Sequence, residues 1–77
     1  MDFTTQVTGS GNQVKTIVTI PNPTAPIKGI SKYVGASFGA TNNTIDDNSF
    51  WLAGEHSPKH VGEVLNSIPS RPPEVRN

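Results

Sequence analysis

The sequence has no cysteine, and only one tryptophan, one tyrosine and one methionine in 77 residues. Without thiols it has no disulfide framework, no thiolate zinc centre and no cysteine nucleophile. No apolar run approaches the roughly 18 residues that cross a bilayer, so no membrane span is expected. The start, MDFTTQVTG, lacks a basic stretch followed by an apolar one, so no secretion signal is expected. Asp2 stands where a myristoylation signal needs glycine. Asn42-Asn43-Thr44 fits the glycosylation sequon but, with no secretion signal, reads as chance. The expected location is the cytoplasm or a virion.

Charge is also scarce. Charged residues make up 16% of the chain and the net charge is zero, against about 25% charged in an ordinary domain. Residues 1–40 carry Lys15, Lys28 and Lys32 against Asp2, whereas residues 41–77 carry Lys59, Arg71 and Arg76 against Asp46, Asp47, Glu55, Glu63 and Glu74. This mild dipole favours head-to-tail contacts between copies. Nothing resembles the clustered basic residues that hold nucleic acid. Leu, Ile, Val and Phe together number 18 of 77, close to the roughly 20% line below which chains stay disordered when also highly charged. A single small domain with a thin core follows, one that gains order from a partner, a metal or copies of itself.

In place of charge the chain has threonine, serine, asparagine and glycine, which cost less to desolvate than ions. Phe3, Thr5 and Val7 alternate in one run. Val14, Thr16, Val18 and Ile20 alternate in the next, with Lys15, Ile17 and Thr19 on the opposite face. Gly9-Ser10-Gly11-Asn12 between them tolerates turn conformations, so residues 1–20 read as a β-hairpin. Residues 21–26 hold three prolines and read as an extended linker leading away from the hairpin. Residues 27–40 fit a strand with Ile30, Lys32, Val34, Ala36, Phe38 and Ala40 on one face or a helix through Ile27, Ile30, Val34 and Phe38, and glycines at 29, 35 and 39 weaken both. The strand is preferred, making 27–53 an irregular, strand-like segment that ends in the apolar run SFWLA. Thr41 to Asn48 reads as a polar loop. Residues 57–68 read as a helix: Ser57 caps it, Pro58 opens it, Val61, Val64, Leu65 and Ile68 form one stripe, and Pro69 ends it. Residues 69–77 read as an extended tail. There is no internal sequence repeat. The fold class is a small, β-rich α+β domain.

The candidate chemistry lies in residues 54–73. His56 and His60 are four apart, with Glu63 three further on. Zincins place glutamate directly after the first histidine, where this chain has Ser57. A helix opening at Pro58 leaves His56 outside it, and zinc wants about four ligands. The expectation is therefore no catalytic residue, no cofactor and no metal, with His56, His60 and Glu63 as exposed polar groups. A zinc or nickel clip that adds Glu55 or Glu63 to the histidines, including one shared between copies, is the minor alternative. Asp46-Asp47 lacks the oxygen-ligand pattern of a calcium loop and reads as a solvated turn. Pro69-Ser70-Arg71-Pro72-Pro73 has a PxxP spacing and reads as a stiff arm, with docking into an aromatic groove as the alternative. The candidate partner-contact residues are Trp51, Phe50, Phe38, Pro72 and Pro73.

The expected function is a non-catalytic component of a larger symmetric assembly, of the minor capsid, decoration or cement kind found in virus particles. Its partners would be other copies or a major structural protein. The alternative is a small inhibitor or adaptor with a single protein partner.

Overall fold

The computed structural model describes residues 2–39 and 43–68. Six main elements follow in the order β1 (Thr4–Thr8), β2 (Lys15–Thr19), α1 (Ile27–Ser37), β3 (Asn43–Thr44), β4 (Ser49–Ala53) and α2 (Pro58–Asn66). The strands make one antiparallel sheet in the order β1-β2-β4-β3. The small α+β domain is β-rich, as its composition indicates.

The hairpin forms at the expected place. β1 and β2 pair residue for residue from Thr4↔Thr19 to Thr8↔Lys15. A short 3-10 turn, Gly11–Gln13, lies within the connection. Gly9 adopts φ 92°, and a Cβ there would run into the Gln13 carbonyl oxygen, so the position needs glycine.

The linker does not lead away. The Ile20 amide donates to the Asn48 carbonyl (2.8 Å), and the Asn48 side-chain amide donates to the carbonyls of Ile20 and Pro21 (both 3.0 Å). These bonds fasten the linker's start to the β3–β4 turn. Ala25 packs on the core and Ile27 is buried, so the chain returns over the sheet.

Residues 27–37 form a helix, which corrects the strand preference. Ile27, Ile30, Ser31 and Val34 are buried on one side, while Lys28 and Lys32 are exposed together on the other. A strand would have set Lys32 on the same face as Ile30 and Val34. Solvating that ammonium is the physical reason the helical period prevails over the alternating one. The fold thus has two helices rather than one. The polar stretch before SFWLA includes the two-residue strand β3. α2 forms as read, capped by Ser57, whose hydroxyl accepts from the His60 amide (3.1 Å). Its last residue is Asn66, and Val61 and Leu65 are buried while Val64 and Ile68 are half-buried.

The architecture repeats even though the sequence does not. Two ββα units, β1-β2-α1 and β3-β4-α2, meet along the antiparallel β2–β4 pair, centred on Ile17↔Trp51. The outer strands β1 and β3 occupy equivalent places. α1 lies over β4 and β3 and against α2. The Phe3 ring, at the start of β1, lies against Gly62 of α2, where a Cβ would come within 3.2 Å of it. Glycine is costly inside a helix, and here it lets the ring approach. Val18, Ile20, Phe50 and Leu52 from the sheet close on Ile27, Ile30, Val34, Val61 and Leu65 from the helix layer in one core.

Candidate functional site

The two faces of the sheet are unlike. On β2 and β4 the pairs Thr16↔Leu52 and Val18↔Phe50 lie under the helices and are buried. The alternate residues Lys15, Ile17, Thr19 and Trp51 are half-buried on the opposite face, which no described helix or strand covers. Along its centre runs the row Gln6, Ile17, Trp51, Asn43, one residue from each strand. Its two apolar members sit between two side-chain amides. The Lys15 ammonium stands 5.0 Å from the Trp51 ring centroid, a cation–π contact that holds the indole against the sheet. Thr19 and Ser49 share a hydroxyl hydrogen bond of 3.2 Å at one end. Lys15 is the only ion among the strand residues of this face. An apolar pair bordered by polar groups and a single ammonium has a composition that suits a protein contact.

The expected contact residues divide. Trp51 is on the open face and available. Phe50 is completely buried opposite Val18, which corrects its reading as a contact residue: neighbours in a strand point to opposite faces, and the helices cover the Phe50 side. Phe38, just past α1, is half-buried and packs on both histidines. Pro72 and Pro73 lie outside the described residues, as does the whole 69–77 arm. Ile17 and Lys15, which share the open face with Trp51, were not among the expected contact residues. Their alternation with Val14, Thr16 and Val18 was the available signal, but only the β2–β4 pairing sets them beside Trp51.

The histidines have structural surroundings. Thr16, fully buried, donates its hydroxyl to the Gly54 carbonyl (2.9 Å) and accepts from the His56 amide (2.9 Å). It thereby holds the turn between β4 and α2. His56 Nε2 is 2.8 Å from the Ala53 carbonyl oxygen. A carbonyl only accepts, so Nε2 carries the proton. The His56 ring lies 4.5 Å from the Phe38 ring and the His60 ring 4.9 Å from it, the latter edge-on. His56 is thus half-buried and engaged, not the free polar group its position before the cap suggested. His60 is exposed, with Nδ1 3.5 Å from a Glu63 carboxylate oxygen, a surface pair of small energy. Among the described residues no three His, Cys, Asp or Glu side chains converge as a metal site would require. Asp46 is used in the turn: its carboxylate accepts from the Asn48 amide at 2.8 Å. None of the described helices is long and apolar enough to cross a membrane.

Comparison with protein-family models, curated proteins and solved structures finds no match for the chain.

Proposed function

We propose that the protein is a non-catalytic component of a larger symmetric assembly, docked on its neighbour through the open face of the sheet. The observation that carries this reading is the half-buried Ile17–Trp51 pair at the centre of a face that, among the described residues, no helix or strand covers and whose strands bear a single ion. An aromatic anchor in a polar surround of low charge is the composition of a protein contact. The thin core supports it too, because a small domain gains stability from what it binds. The specific form proposed is a decoration, cement or minor capsid component, whose partner is a major structural protein present in many copies.

Native mass spectrometry of the protein taken from the cells that make it tests the reading. The expected result is a complex holding many copies in a fixed ratio to one larger protein. A one-to-one complex would instead make it an inhibitor or adaptor, and a tightly held transition metal would return attention to His56 and His60.

A further inference from the structure

The two edges of the sheet are built differently. The β3 edge is two residues long and runs into the exposed Asp46 and Asp47. So short an edge, with carboxylates in the turn beside it, gives little purchase to another strand. The β1 edge is five residues, Thr4–Thr8, with the sequence TTQVT. It has no charge and no proline, and its one-to-one register with β2 leaves no bulge. Among the described residues nothing pairs with its outer side. Val7 remains 47% exposed although it points to the helix side. The free backbone groups of such a strand are a template for strand addition.

We propose that β1 pairs antiparallel with β1 of a second copy, about a two-fold axis through Gln6, joining the two sheets into one. Charge permits a second copy as the occupant and selects the direction. From Phe3 to Val14 the chain carries no ion, so self-pairing sets no like charges against each other. With Gln6 at the axis, Thr4 lies opposite the partner's Thr8 and Thr5 opposite the partner's Val7. Asp2 then falls opposite the partner's Ser10 and meets no like charge. Parallel pairing would set Asp2 beside the partner's Asp2. One five-residue edge is a small contact beside the roughly 1,200–2,000 Å² of a stable interface. The pair is therefore weak in isolation and strengthens where an assembly holds copies together. It does not depend on the open face, which stays free on the joined sheet.

The test uses Gln6, which is exposed and is the one residue of β1 that meets itself. Sedimentation of the full chain from about 10 µM to 1 mM should show a reversible monomer–dimer equilibrium. Gln6→Lys alone and Gln6→Glu alone each set like charges directly opposite and should weaken it by about fivefold. An equimolar mixture of the two should dimerise at least as well as the unaltered chain, which also shows that both variants fold. A chain that stays monomeric throughout, or a mixture that remains dissociated, overturns the proposal. So does a dimer lost in Trp51→Ala but untouched by either Gln6 variant, since that contact would use the open face.

Discussion

Val18 and Ile17 are neighbours in β2, and Phe50 and Trp51 are neighbours in β4, yet each pair is split between two jobs. Val18 and Phe50 face the helices and have no exposure at all. Ile17 and Trp51 face outward and remain half-buried, with Lys15 across the indole. The same two strands therefore supply a core on one side and a half-buried face on the other. The difference comes from where the helices lie, since all four side chains are apolar. A chain with little apolar material spends two of its larger side chains where they add least to the isolated fold, and this is why the open face reads as a docking surface.

Substitutions can break that comparison. The largest effect is expected at Phe50→Ala, which empties a fully buried site and should cost about 3–5 kcal/mol in urea unfolding. That is a large part of the roughly 5–15 kcal/mol that holds a domain folded. Leu65→Ala, on the helix side of the same core, should cost about 2–5 kcal/mol by the same measurement. A loss under about 0.5 kcal/mol at either site, typical of a surface position, would mean that the helices do not pack on this face.

Thr16→Val is next. It keeps the shape but removes the hydroxyl that bridges Gly54 and His56, so the loss should be about 1–3 kcal/mol. Amide exchange should locate it: His56 and the start of α2 should lose protection while β1 does not. Trp51→Ala comes last, although it deletes the largest side chain in the protein. The indole is only half-buried, so about 1–1.5 kcal/mol is expected, near half the transfer free energy of a buried aromatic. If Trp51→Ala destabilised the isolated chain more than Phe50→Ala, the assignment of the two faces would be reversed.

The two helices show what the sequence can and cannot reveal. α2 is punctuated by its own residues: Ser57 caps, Pro58 opens and the apolar stripe has one period. α1 has no such marks. Its cap position is Pro26, which supplies no side-chain bond, and Gly29 and Gly35 lie within it. Both periods fit its apolar residues, and only the placement of Lys28 and Lys32 separates them. Local rules therefore reached α2 and the first hairpin, while α1 depends on packing against β4, β3 and α2, none of them adjacent in the sequence to its start. The open face was half legible. Trp51 stood out as the one tryptophan, but Phe50 beside it has equal claim until the sheet order is known. Which of two adjacent aromatics faces outward depends on the pairing of β4 with β2, over thirty residues away.

Hydroxyl-radical footprinting of the free chain and of the native assembly tests the central claim most directly, because mass spectrometry reads Phe50, Trp51 and Ile17 separately. In the free chain Trp51 and Ile17 should be oxidised and Phe50 spared. In the assembly Trp51 and Ile17 should be protected several-fold, with Phe50 unchanged. Equal oxidation of Trp51 in both states would contradict the account, because the open face would then be exposed to water wherever the protein is found.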